Sequence, residues 1–430
     1  VSSTASPHVD AGREAVARGA WEEAKASFER ALGEGESPEA LEGLGLAAWW
    51  LDRGDAVFDS RERAYALYRE RGDRISAARL AVWLAWDYTA FRGESVVAHG
   101  WLGRAKRLLD GTGDEGSRER AWLALREGAF ALLAAGDPRE ALLRAEEAVS
   151  IGQSISSADH EMTGRSLAGF AKVTAGDVAE GMRDLDEVSA AILAGEMSDH
   201  VSIGLSCCYM IAACERVRDY DRALQWCTRL KSYCEKWGLR PLSAVCRTQY
   251  ASVCIWRGTW GEADRELTLA TAELAAARPA MTSEGLVRLA ELRRLQGRVE
   301  EAEEMFGRAE PHPHASLGMA ELALDRGDAR TAADHAERYL RRLPRHNRVE
   351  RAAGLELGVR ARLALGRRSD AQSDFDELEA IAADIGTAPL VASAGLAAGL
   401  LAFADSDLES ARRHFEDAVD RLHPMGAPYE

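Results

Sequence analysis

Apolar and small residues recur along this chain at helical spacing. A short phrase reads Gly-Ala-Trp-Glu-Glu-Ala from Gly19, Gly-Asp-Pro-Arg-Glu-Ala from Gly136 and Gly-Thr-Trp-Gly-Glu-Ala from Gly258. Further copies are anchored at Gly54, Gly93, Gly176, Gly297, Gly327 and Gly366, with Arg218 and Ser406 in the same place in two degenerate copies. The steps between these eleven anchors run from 30 to 43 residues and most lie near 40. A period of that size signals a stacked array rather than independent domains. Five residues after the anchor stands Ala24, Ala98, Ala141, Ala223, Ala263, Ala302, Ala332, Ala371 or Ala411; Gly181 replaces it once, and Asp59 breaks the pattern once. Nine residues after it come Phe28, Leu102, Leu185, Leu267, Phe306, Phe375 and Phe415, and twelve after it Ala31, Ala105, Ala148, Ala270, Ala309 and Ala418. Those offsets share one face of a helix, so each unit buries one stripe against its neighbours. The small residue lets two helices approach closely, and the anchor Gly suits a left-handed turn between them. No convincing run of alternating residues and no Asn-Gly hairpin turn predicts a strand.

The 430 residues are 47% hydrophobic and 29% charged, enough to bury a core, and the net charge is -16. An acidic chain lacks the clustered cations that track a phosphate backbone, so weak or no binding of duplex DNA is expected from it. Its five lysines, Lys25, Lys106, Lys172, Lys231 and Lys236, never follow a Gly, which excludes a phosphate-cradling P-loop. Val1 to Asp10 is polar, without a cationic start or an apolar stretch, so no secretory signal is read there. Seven cysteines between Cys207 and Cys254 form no Cys-x-x-Cys pair. That suits reduced thiols and a cytoplasmic location better than a disulfide framework or zinc site. Ile385 to Ala404 is uncharged, but Gly386 and Pro389 interrupt it, and a buried helix is expected there rather than a membrane span.

Gly19, Trp21, Ala24, Phe28 and Ala31, and again Gly297, Val299, Ala302, Phe306 and Ala309, resemble the second half of a tetratricopeptide repeat (TPR), a helix–turn–helix unit. The resemblance covers about residues 10–425. It implies an all-α fold: a right-handed α-α superhelical solenoid of about eleven TPR-like helix pairs. One array is expected over 11–425, with a loosely ordered 1–10 and the start of a further helix, or a truncated end, at 426–430. The period exceeds the usual 34 of the family, and the closing Pro is mostly missing, although Pro344 sits at its offset. A narrower resemblance runs through Gly-Leu-Ala-Ala-Trp-Trp ending at Trp50, Trp101 to Leu109, Ala-Gly-Glu-Met-Ser from Ala194, and Gly426 to Glu430. These phrases are similar to the repeat region of LuxR-type transcriptional regulators of high-GC bacteria, whose DNA-binding helix-turn-helix follows the repeats. Such an element is absent from this sequence, so DNA would be reached only through another domain. The resemblance implies a sensing or protein-binding region; a free-standing TPR scaffold is the alternative, with an enzyme third.

The family binds partners in its concave groove, at positions 13, 10, 6, 3 and 2 residues before the anchor. Carried over residue by residue, these select Trp83, Asp87 and Phe91, then Arg126 and Phe130, then Ser166 and Phe170, and farther on Glu215, Trp256, Glu291, Arg294, Glu321, Glu356 and Arg360. The aromatic first group, carrying Asp87 and Arg126, suits a peptide anchor or a small-molecule effector; the alternative is that these aromatics are packed core. The charged residues beyond Glu291 suit a polar groove wall. Other constellations reduce to structure. Gly111, Gly113 and Gly116 spell Gly-x-Gly-x-x-Gly but follow an amphipathic helix rather than a strand, so a helix stop and linker is expected. His312 and His314 have no evident third ligand, and no metal or cofactor is expected. Core register accounts for Cys207, Cys214, Cys227 and Cys254, leaving Cys208, Cys234 and Cys246 as the thiols open to a redox role. No nucleophile or metalloprotease motif points to catalysis.

Overall fold

The computed structural model describes residues 6–426 and residue 428. Among the described residues, twenty-two α-helices follow one another in eleven antiparallel pairs. The pairs are α1 Pro7–Ala17 with α2 Trp21–Glu34, α3 Pro38–Trp50 with α4 Gly54–Glu70, α5 Arg74–Asp87 with α6 Ser95–Leu109, α7 Ser117–Leu133 with α8 Pro138–Ser154, α9 Ala158–Ala175 with α10 Val178–Ala194, and α11 His200–Arg216 with α12 Tyr220–Trp237. They continue as α13 Arg240–Trp256 with α14 Trp260–Ala277, α15 Thr282–Leu295 with α16 Val299–Ala309, α17 Pro313–Asp325 with α18 Ala329–Arg342, α19 Arg348–Ala364 with α20 Arg368–Ile385, and α21 Ala388–Ala404 with α22 Leu408–Leu422. The described residues contain no strand. Helix α1 starts at Pro7, with the Ser6 side chain accepting from the His8 N–H, so residues 7–10 are helical rather than loosely ordered. Residues 1–5, and all but Gly426 and Pro428 of 426–430, lie outside the described residues.

The anchors are the turns inside each pair. Gly19, Gly93, Gly136, Gly176, Gly258, Gly297, Gly327 and Gly366 have φ between 64° and 110°, and Arg218 and Ser406 adopt the same left-handed conformation at 58° and 63°. Gly54 is the exception. It lies inside α4, and the left-handed residue of the second unit is Asp52, φ 56°. Counted from Asp52, the offsets fall into line: Val57 takes the five-residue position and Ala64 the twelve-residue position, both fully buried. The nine-residue position, apolar elsewhere, is Arg61.

Aromatic residues at that offset wedge between units. The Phe28 ring fills the space where a Cβ on Gly43 would sit, 2.3 Å from its Cζ, and Phe306 stands against Gly318 in the same way at 2.1 Å. Glycines on the neighbouring first helix thus make room for rings whose burial contributes about 1.5–3 kcal/mol each. Gly111 and Gly113 have positive φ and lead into a tight turn over Gly113–Gly116, a helix stop rather than a nucleotide loop. Ile385 to Ala404 supplies α21, which buries Leu390, Ala397 and Leu401. Among the described residues no helix is long and apolar enough to cross a membrane.

The superhelix winds tightly enough for its second turn to rest on its first. Trp21 donates from Nε1 to the Trp237 carbonyl at 2.8 Å. Arg278, between α14 and α15, donates to Asp52 at 2.7 Å and to the Trp49 carbonyl at 3.1 Å. Asn347 donates to the Gly136 carbonyl at 2.9 Å, and His346 pairs with Asp137 at 2.7 Å. The partners are 209 to 229 residues apart, about five units along the array. Turns between helices of one layer therefore meet loops of the next, along a seam.

His200 sits in that seam against Trp21 and Trp237, with its Nδ1 2.6 Å from the Tyr233 hydroxyl. Burial lowers its pKa against a weaker upward pull from Asp199. The unfolded chain then takes up a proton near pH ~6.5 that the folded chain resists, so stability is full above that pH and declines as pH falls below it. Urea unfolding followed from about pH 7 to about pH 5.5 should show that decline. His200→Gln should flatten the slope; an unchanged slope in the variant would remove His200 from the explanation.

Candidate functional site

First helices of successive pairs, from α3 to α21, line a cavity of about 980 Å³, joined by Leu274 of α14 and by Tyr339 and Arg342 of α18. Its wall draws chiefly on α11, α13, α15, α17 and α19, with Trp49, Trp86, Leu132 and Phe170 contributed by the earlier units. Part of the wall is apolar: Trp86, Leu132, Phe170, Leu205, Tyr209 and Ala212. Among and beside these residues stand ions that are already paired. Arg288 reaches both Glu215 oxygens at 3.0 Å, Glu284 at 2.6 Å and the Ser252 hydroxyl at 2.7 Å. Glu284 in turn meets His312 at 3.0 Å. Enclosure pushes the Glu284 carboxyl up, but Arg288 and then His312 outweigh it and hold the pKa well below the usual carboxylate range. Arg216 bonds Thr174 and Glu350 and lies over the Phe170 ring, joining α9, α11 and α19 across the seam. Such a surface holds its charges in fixed directions while leaving apolar area to cover, which suits a ligand with both kinds of group.

Of the eight residues selected most strongly from sequence, Phe170 reaches the cavity wall. The others lie in the layer between helices. Asp87 is fully buried and accepts from Arg61 Nη1 at 2.8 and 2.6 Å. Burial raises its pKa, opposed by Arg61 and then by Arg278 and Arg126. Phe91 packs under the Arg278 guanidinium. Arg126 lies among Trp83, Trp86 and Trp122. Phe130 is buried beside His99, and Ser166 donates to the Ser206 carbonyl at 3.3 Å. Trp256 packs on Tyr220 with its indole N–H unsatisfied. Farther along, Glu215 and Glu356 line the cavity, whereas Glu291 with Arg294 and Glu321 with Arg360 form ion pairs at 2.7 and 2.8 Å outside its lining.

The transferred register meets the cavity most fully in the α11 unit. Positions 13, 10, 6, 3 and 2 before Arg218 are Leu205, Cys208, Ala212, Glu215 and Arg216, and all five line the cavity. In later units the first two of those positions supply Val245, Thr248, Glu284, His314, Leu317, Ala353 and Glu356. Preferring aromatics within the register selected the residues that pack between helices. All seven cysteines are free thiols; Cys234 and Cys246 are buried, and Cys208 is the half-buried one in the wall. Burial raises the Cys208 pKa to about 12, which keeps the thiol protonated and unreactive near neutral pH. Among the described residues no group of His, Cys, Asp and Glu is arranged to hold a metal.

No protein-family model matches this sequence, and no curated protein matches it in sequence. Solved structures do match in fold. A Rap protein complexed with competence and sporulation factor superimposes with a TM-score of 0.56 at 9% identity, covering 88% of this chain and 97% of that one. The Cut9–Hcn1 hetero-tetramer structure of the APC/C gives a TM-score of 0.47 at 15% identity, over 96% of this chain and 78% of that chain. A tetratricopeptide repeat protein from Parabacteroides merdae gives 0.38 at 13% identity, over 70% of this chain and 99% of that chain. Eleven helix pairs, left-handed anchor turns and the likeness to the Rap structure make the fold of this chain a TPR-like helical-repeat solenoid.

Proposed function

We propose that this chain is a recognition scaffold that holds a short peptide segment of a partner inside its lumen. The observation that carries this is the cavity wall: apolar residues together with fixed ion pairs, drawn chiefly from the first helices of successive pairs. An extended peptide offers both apolar side chains and backbone polar groups, which matches that mixture. The fold likeness to a Rap protein crystallised in complex with competence and sporulation factor supports a binding role for a solenoid of this shape. A LuxR-type regulator would use this lumen as its sensing surface. That narrower reading rests on the sequence phrases, and the structural comparisons favour the scaffold over it.

Ala212→Trp tests the proposal, because it places an indole in the middle of the lumen. A pool of short random peptides is passed over immobilised wild-type and variant protein. Peptides retained by the wild type should bind the variant at least about tenfold more weakly, with an unchanged thermal melt. Equal retention by both proteins, or by neither, would remove the lumen from the account.

A further inference from the structure

One charge beside the lumen has no partner. Arg126, on α7, is 1% exposed, and its Nε and Nη2 are sealed from water without a hydrogen-bond acceptor. Trp83, Trp86 and Trp122 surround the guanidinium, their ring centres 5.0, 4.2 and 5.4 Å from its central carbon. Indole faces attract a cation but accept none of its five N–H bonds in the way an oxygen would. The neighbouring carboxylates are engaged elsewhere: Asp87 gives both oxygens to Arg61, and Asp52 binds Arg278. Asp199, whose carboxylate also acts on Arg126, accepts from the Ser202 N–H at 2.7 Å, so none of these carboxylates is hydrogen-bonded to the guanidinium. Burial pushes Arg126 down to about 10, so it remains protonated at neutral pH. A buried guanidinium with unmet N–H donors is costly, and a structural role would be served better by an apolar side chain of the same length.

The surroundings say where the missing anion would come from. Trp86 lies closest to the guanidinium and also lines the cavity, as does Tyr209, whose hydroxyl feels the Arg126 charge. We propose that Arg126 is the anchor for a single carboxylate of the peptide held in the lumen, engaged past the edge of Trp86. This rests on the lumen reading above. A planar carboxylate matches the guanidinium edge and would supply the acceptors that Nε and Nη2 lack. The carboxylate is either an Asp or Glu side chain or the peptide's own C-terminus.

Four pools of short synthetic peptides separate the sources: with or without Asp and Glu, each with a free or an amidated C-terminus. Retention by the wild type should require at least one kind of carboxylate, and the pool that fails names the source. Arg126→Met keeps the length of the side chain and its packing among the indoles. It should melt no lower than the wild type, since an unpaired buried charge has been removed, while retained peptides bind about tenfold or more weakly. A clearly lower melting temperature would mean that the cation holds the tryptophans together, and would overturn the proposal. So would unchanged binding by Arg126→Met, or equal retention of peptides lacking any carboxylate. If such carboxylate-indifferent peptides are still lost in Ala212→Trp, the anchor fails and the lumen stands. If no retained peptide is sensitive to Ala212→Trp, both fail together.

Discussion

Asp87→Ala is expected to lower stability by about 3–5 kcal/mol, the range for breaking a buried ion pair by removing one partner. Asp87 is wholly buried at the end of α5, and Arg61 on α4, 3% exposed, gives it one nitrogen at 2.8 and 2.6 Å from the two oxygens. Without the carboxylate, Arg61 would be stranded in an apolar layer, with Arg126 and Arg278 close enough to add repulsion. Loss of the pair therefore costs more than the pair itself contributes. Arg61→Leu combined with Asp87→Leu should recover much of the loss, because neither charge is then left unpaired. Urea unfolding of the single and double variants measures both effects. A loss below about 1 kcal/mol for Asp87→Ala, the range of an exposed pair, would contradict the buried geometry.

Arg278→Ala should have the second largest effect, about 2–4 kcal/mol, and should act at the seam rather than within a unit. The side chain is 2% exposed. It bonds Asp52 and the Trp49 carbonyl one superhelical turn away, and it is sandwiched over Trp49 and Phe91 at 4.3 Å from each ring centre. Truncation removes two charge-assisted hydrogen bonds and both stacking contacts together. Amide exchange should quicken at the C-terminal end of α3 and in the α14–α15 connection, places 226 residues apart in sequence. Arg298→Ala serves as the control. Its pair with Glu301 lies within one helix end, with side chains 45% and 47% exposed, and should be worth ~0–1 kcal/mol. Equal effects from the two substitutions would mean that the turns of the superhelix do not support one another.

The helix pairs were legible in the sequence because each unit repeats a local device: a left-handed turn, a small residue five positions on and a wedge at nine. Those requirements act within one pair and its neighbours, so they recur at a readable period. The second unit shows where the reading fails. Gly54 looked like its anchor, yet Asp52 takes the left-handed turn, and the two-residue shift hid Arg61 in a position that is apolar elsewhere. A polar residue at that position, once the register was corrected, is the signal that could have disclosed the Arg61–Asp87 pair. The lumen was half legible. Its register was readable at Leu205, Cys208, Ala212, Glu215 and Arg216, but the aromatics favoured within it pack between helices. Rings large enough to anchor a ligand are also the rings best suited to fill an interhelical gap, and sequence does not separate the two uses. The seam had no sequence signature. Trp21 and Trp237, or Gly136 and Asn347, meet because the superhelical pitch brings them together, and that pitch is set by small rotations summed over five units.

The central claim is that the inner surface is where this solenoid recognises its partner. Amide exchange of the wild-type protein, saturated with a retained peptide, tests it most directly. The account predicts slower exchange along α11, α13 and α19, whose side chains line the cavity, with α10 and α12 on the outer layer unchanged. Slowing confined to the outer helices, or to the exposed Phe403, Leu408 and Val419 near the last pair, would place recognition on the outside and contradict it.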